Sequence, residues 1–181
     1  MTYDEGEAPA AVVEIYDDAS RSILSRNDSP DLGFRWSVNP YRGCLHACAY
    51  CFARPTHEYL GFGAGTDFER KLLVKRDAPA LLRAAFAKRS WQREFVVFSG
   101  ATDCYQPLER DYLLTRGCLE VCREVSNPVG IVTKGVLVAR DASLLAEVHA
   151  ASEARVAVSL PFLDATQARA FAPYPPSPAR R

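Results

Sequence analysis

Three thiols crowd into one short stretch, Gly43-Cys44-Leu45-His46-Ala47-Cys48-Ala49-Tyr50-Cys51, a C-x3-C-x2-C pattern with an aromatic residue just before the third cysteine. Four-iron clusters normally take four thiolates. Three on one loop would hold three irons and leave the fourth with an open coordination position, where a substrate or cofactor can chelate. The small neighbours Gly43, Ala47 and Ala49 let such a loop wrap a bulky cluster. Two other readings stay open on spacing alone. Zinc could use His46 or His57 as a fourth ligand, although structural zinc sites usually add a distant second cysteine pair and none of that kind follows. The thiols could also be buried core residues. That reading suits Cys118 and Cys122, which fall on a helical stripe.

The elements that must position this loop follow from hydrophobic patterning. Residues 34–38 alternate as a strand, broken by the turn-forming Asn39-Pro40-Tyr41-Arg42-Gly43. A short helix is expected between the cysteines and Pro55, and residues 68–74 read as a strand. Asp77-Ala78-Pro79 opens a helix with Asp77 as N-cap and Leu81, Leu82, Ala85 and Phe86 facing the core. Residues 94–99 form a compact apolar run of the buried parallel type. Helical spacing returns with Leu114, Cys118, Val121, Cys122 and Val125. Residues 129–133 are a strand, about 141–151 a helix, and 155–159 the last strand. Alternation of this kind predicts an α/β fold of about four parallel strands with outer helices. Residues 1–33 read as an N-terminal arm or partly ordered leader, and 34–181 as the folded domain.

The 181 residues suffice for one ordinary domain, and 48% hydrophobic content supports a real core. Lys plus Arg number 22, as do Asp plus Glu, so no global field favours nucleic acid or an anionic membrane, though a local basic groove stays open. The acidic start lacks the apolar region of a secretory signal, and no stretch is long and apolar enough to span a bilayer. The expected compartment is therefore the cytoplasm, where thiols stay reduced and six cysteines are better read as ligands, catalytic groups or core residues than as bridges.

The C-x3-C-x-Tyr-C loop resembles the cluster loop of the radical S-adenosylmethionine superfamily. The run Ser37-Val-Asn-Pro-Tyr-Arg-Gly-Cys44 through Cys51-Phe-Ala-Arg-Pro-Thr-His-Glu-Tyr-Leu60 is similar to the branch related to spore photoproduct lyase. Thr102-Asp-Cys-Tyr-Gln-Pro-Leu-Glu-Arg110, Val132-Thr-Lys134 and Val156-Ala-Val-Ser159 continue the likeness in order. The resemblance implies a partial (β/α) barrel and a [4Fe–4S] cluster on Cys44, Cys48 and Cys51. S-adenosylmethionine would chelate the open iron and be cleaved reductively to a 5′-deoxyadenosyl radical, with electrons from a donor such as flavodoxin or ferredoxin.

By the same resemblance Tyr50 stands near the adenine. Thr102 and Asp103 would hold the cofactor's amine or ribose, Lys134 its carboxylate, and Ser159 a ribose hydroxyl. Each position also has a simpler reading, in turn chemistry, packing or solvation. Arg42, Arg54, His57, Glu58 and Tyr59 flank the loop as supporting candidates. Cys104, just past a strand, could donate a hydrogen atom to a substrate radical. It does not align with the hydrogen-donor cysteine of true photoproduct lyases. Relatives continue with further βα units, so this chain is expected to be a fragment or to need a partner, and to be poorly soluble or oligomeric alone. The alternatives to a radical enzyme of unknown substrate are DNA photoproduct repair and a non-catalytic metal-binding fragment.

Overall fold

The computed structural model describes residues 12–181. The chain begins with two short strands, β1 (Glu14–Asp17) and β2 (Leu24–Arg26), both inside the segment read as an arm. The arm's first eleven residues lie outside the described ones. β3 (Trp36–Val38) and β4 (Tyr41–Arg42) lead into the cysteine loop, followed by a 3-10 helix at Arg54–Leu60. Then come α1 (Asp67–Arg70), β5 (Lys71–Val74), α2 (Ala78–Phe86), β6 (Val96–Phe98), α3 (Leu108–Tyr112) and α4 (Leu114–Glu124). The chain closes with β7 (Val129–Thr133), a 3-10 helix at Val136–Asp141, α5 (Ala142–Ala151), β8 (Ala154–Val158) and α6 (Ala165–Phe171).

Two sheets result. The larger runs β2-β3-β6-β7-β8, with β3, β6, β7 and β8 mutually parallel and β2 antiparallel on one edge. Among the described residues it is open at both edges, so the structure is α/β with mostly parallel strands that do not close into a barrel there. The alternation of β7 explains its two faces. Val129 and Ile131 enter the main core with Val96 and Phe98 of β6, while Gly130 and Val132 face the other way. Against the core face pack α2 through Leu82 and Phe86, α4 through Cys118, Leu119, Val121 and Cys122, and α5 through Leu144, Leu145 and Val148. Asp77 does occupy the N-cap of α2, but without a side-chain cap bond; Pro79 in the first turn marks the start instead. β8 ends the sheet, and Val156 and Val158 remain 43% and 46% exposed.

The smaller sheet corrects the expectation for residues 68–74. Only Lys71–Val74 is extended, and Asp67–Arg70 forms a helical turn. Phe68 is held there from several sides: the His57 ring packs edge-on at 5.1 Å, the Arg54 guanidinium lies 5.3 Å from its centroid, and its carbonyl accepts from Cys44 N–H at 3.0 Å. β5 also lies outside the parallel sheet. It pairs in parallel with β1 and antiparallel with β4. Because β4 immediately precedes Gly43, this second sheet fixes where the cysteine loop starts.

Candidate metal and cofactor site

The loop's geometry begins with Gly43, which has φ +75°. A Cβ there would stand 2.6 Å from both Phe68 O and Leu72 Cδ2, so only glycine fits. Turns then follow in succession. Ala47 N–H donates to Cys44 O, Cys51 N–H to Cys48 O and Arg54 N–H to Cys51 O, at 3.2, 3.2 and 3.3 Å. Ala47 completes the first turn with φ 53°, a left-handed conformation that costs a non-glycine residue ~1–2 kcal/mol. Arg54 closes the far end, since its Nε donates to Cys48 O at 2.9 Å while its Nη1 holds Gly65 O and Glu69, each at 2.8 Å.

Cys44, Cys48 and Cys51 all line one cavity of about 230 Å³. Tyr50, Thr102, Asp103, Lys134 and Ser159 line the same cavity. The sequence expectation had drawn these eight residues from four separate segments. They meet because residues 99–103, Lys134 and Ser159 follow the carboxyl ends of β6, β7 and β8, the end of a parallel sheet where ligand sites gather.

Burial raises the Cys48 thiol above its ordinary value and Cys44 adds to this, while Lys134 and His46 oppose it. Cys51 is raised by burial first and then by Cys44, against Lys134 and Arg54. Cys48 and Cys51 therefore both feel Cys44, and Lys134 is the cation common to both that favours their thiolates. Tyr50 is likewise raised, by burial and then by Cys48. Its ring has Lys134 Nζ 5.6 Å from the centroid and the edge of Phe162 at 6.0 Å. Phe162 in turn stacks on Phe171 of α6, whose carbonyl accepts from Ala49 N–H at 2.8 Å.

Asp103 is mostly enclosed, its side chain 10% exposed, among several donors. Its Oδ1 accepts from Thr133 Oγ1 at 2.5 Å and Tyr105 N–H at 2.9 Å, and its Oδ2 from Lys134 N–H at 2.7 Å. His46 Nδ1 lies 3.3 Å from the same Oδ2. Burial would raise its pKa, but His46, Lys134 N–H and Thr133 outweigh that and hold it at about 2. Asp103 thus ties the cysteine loop to the end of β7. The Thr102 hydroxyl donates to Tyr41 O at 3.1 Å, and Ser159 N–H donates to Thr133 O at 2.8 Å, leaving its hydroxyl at the cavity wall.

Other expected residues fall elsewhere. Cys104 lies in the main core and not in the cavity wall, and burial, then Asp103, pushes its thiol well up. Arg42 pairs with Asp18 at 3.1 Å, and buried His57 shares a hydrogen bond with Lys71 O at 2.8 Å. Glu58 and Tyr59 are exposed and line no part of the cavity. Two features had not been anticipated. Helix α6 was missed, although Asp164 accepting from Gln167 N–H is half of a capping box written in the sequence. Buried Glu109 was quoted without a role. It accepts from Tyr41 Oη at 2.5 Å, from Thr115 and Arg116 N–H at 2.8 and 3.0 Å, and from Arg140 at 2.9 Å. That joins the strand before the loop to α4.

Among the described residues no three His, Cys, Asp or Glu side chains gather as a single metal ion requires. A four-iron cube makes another demand, since each thiolate takes its own iron. Three thiols around one cavity, a cation beside them and no fourth cysteine in its wall fit a cube with one open iron. Also among the described residues, no helix is long and apolar enough to cross a membrane.

No family model matches the chain. An uncharacterized protein of Mycobacterium tuberculosis is 48% identical over 129 residues, covering 71% of this chain. The chain spans only 38% of that relative's length. An uncharacterized protein of Methanocaldococcus jannaschii is 28% identical over 149 residues, 82% of this chain and 53% of its own. Among solved structures, spore photoproduct lyase complexed with dinucleoside spore photoproduct matches 92% of this chain and 45% of its own, with a TM-score of 0.60 at 15% identity. A variant of that lyase with bound AdoMet and the same dinucleoside matches 87% of this chain and 44% of its own, with a TM-score of 0.55 at 14% identity. The likeness establishes the fold: this chain has the α/β arrangement found in spore photoproduct lyase.

Proposed function

We propose that the chain is the cofactor-binding portion of a radical S-adenosylmethionine enzyme, holding a [4Fe–4S] cluster through Cys44, Cys48 and Cys51. The observation that carries this reading is the convergence of the three thiols with Lys134 and Ser159 on one cavity at the carboxyl ends of parallel strands. The bound cluster and S-adenosylmethionine would together supply a 5′-deoxyadenosyl radical; the residues of the chain bind, orient and exclude water.

Each residue's part follows from its place. Lys134 sets a point charge in the wall for the cofactor's carboxylate. Tyr50, 44% exposed, offers a ring face to the adenine, and the Ser159 hydroxyl a bond to the ribose. The Thr102 oxygen keeps acceptor capacity for the amine. Asp103 acts at one remove, because its carboxylate is already committed to Thr133, Tyr105 and Lys134. An electron donor such as flavodoxin or ferredoxin is the partner this chemistry requires.

Anaerobic reconstitution is the test. It is expected to yield about four irons per chain and reductive release of 5′-deoxyadenosine. Cys48→Ala is expected to abolish both, and a variant that retains them refutes the reading. DNA photoproduct repair is a second reading, favoured by the fold shared with the lyase and opposed by the balanced charge. Specific binding to photoproduct-bearing duplex would select it. A non-catalytic metal-binding protein is a third reading, for which the same three thiols would be the ligands. Zinc without iron after anaerobic purification would select that one.

A further inference from the structure

We propose that Gln106 is the positioning residue of the cluster loop, clamping the backbone on both sides of Cys44. Its carboxamide is wholly buried, and both ends are used on the loop. Oε1 accepts from Leu45 N–H at 2.9 Å, and Nε2 donates to Gly43 O at 3.0 Å. One side-chain amide thus meets the peptide groups before and after the cysteine, as a neighbouring strand would. The opposite edge of Cys44 is taken by its own N–H, which donates to Phe68 O at 3.0 Å. Cys44 is therefore pinned from two directions by segments more than twenty residues away in either case. Cys48 and Cys51 depend on local turns, on Arg54 and, through Ala49 N–H between them, on Phe171 O.

The clamp has a physical purpose. Gly43 enters the loop in a left-handed conformation with no room for a side chain, and Ala47 adds a second left-handed residue. A loop carrying such conformations relaxes unless its surroundings over-determine it. Gln106 supplies a donor and an acceptor at the fixed spacing of a planar carboxamide, and its length carries that group to the loop. It lies one turn beyond Asp103, which accepts from Lys134 N–H and faces His46. The connection between β6 and α3 is thus a platform under the loop: Asp103 sets the middle and Gln106 the first ligand.

The inference deepens the cluster reading and rests on it for its function, but the clamp itself is testable without iron. In the metal-free, reduced protein, Gln106→Leu is expected to raise alkylation of Cys44 under native conditions by about tenfold or more, while core Cys118 stays as slow as in the parent. Asn127→Leu is the control. Asn127 is also a buried amide, bonded to Trp91 Nε1, Glu94 O and Pro128 O, but remote from the loop; its removal is expected to leave Cys44 protected. In the iron-loaded protein, Gln106→Leu is expected to lower iron per chain and to broaden the electron paramagnetic resonance signal that shifts on adding S-adenosylmethionine. Unchanged Cys44 labelling in Gln106→Leu overturns the proposal. So does a parallel rise at Cys44 and Cys118, which would make Gln106 a general stability residue. Failure of the parent chain to take up iron would refute the cluster reading and leave the labelling result to decide the clamp.

Discussion

Replacing Asp103 by Asn removes a charge without changing the side chain's shape, and the cost can be worked from its contacts. The carboxylate is held at about 2 against an ordinary 3.8, a difference worth about 2 kcal/mol of folding stability. The amide can keep Oδ1 facing Thr133 and Tyr105, but its NH2 then meets the Lys134 N–H as donor against donor. An unsatisfied buried donor adds about 1–2 kcal/mol. The expected loss is about 3–4 kcal/mol near neutral pH, which lowers the melting temperature by about 10 °C in a domain of this size. Urea unfolding of the metal-free, thiol-reduced protein measures it without involvement of the cluster. The folded-state pKa lies below the unfolded one, so the carboxylate's contribution is complete above the ordinary value and is lost as pH falls through about 2. The gap between parent and variant should accordingly narrow from pH 5 toward pH 2, with the other carboxylates common to both proteins. A loss under about 1 kcal/mol at neutral pH, or a gap indifferent to acid, would show that Asp103 is not the strap inferred here.

Gly43→Ala is expected to cost about 2–4 kcal/mol, from the left-handed φ together with overpacking against Phe68 O and Leu72; denaturant midpoints check it. Lys134→Ala is expected to weaken S-adenosylmethionine binding about 10–100-fold, per iron-loaded chain, by loss of a charge-assisted contact. Equilibrium dialysis of the iron-loaded protein reads that loss, and unaltered affinity would remove Lys134 from the site.

The parts legible in the sequence were those whose signals are local. The cysteine spacing lies within eight residues, and the apolar run at 129–133 is the strand Val129–Thr133 itself. Thr102, Asp103, Lys134 and Ser159 were singled out by the family resemblance, and the structure sets them past strand ends on one cavity wall. The second sheet left no such signal. Glu14 pairs with Lys71 across more than fifty residues of chain, and neither segment alternates long enough to announce a partner. Phe68 read as the start of a strand because it is apolar; its helical turn is imposed by Arg54, His57 and Cys44, none of which periodicity can see. Gln106 was hidden for the same reason: its bonds reach Gly43 and Leu45 more than sixty residues back. Asp103 was read as a group that would meet the cofactor, and spacing could not reveal that four protein atoms already surround it.

The last strand of the larger sheet has consequences for how the site works in solution. Among the described residues β8 has a partner on one side only, so five residues of extended backbone present donors and acceptors to whatever chain can match them. The pocket wall ends at Ser159, at the tip of that same strand. A strand added there would lengthen the wall as well as the sheet. Docking and cofactor retention would then be thermodynamically linked, each raising the apparent affinity of the other.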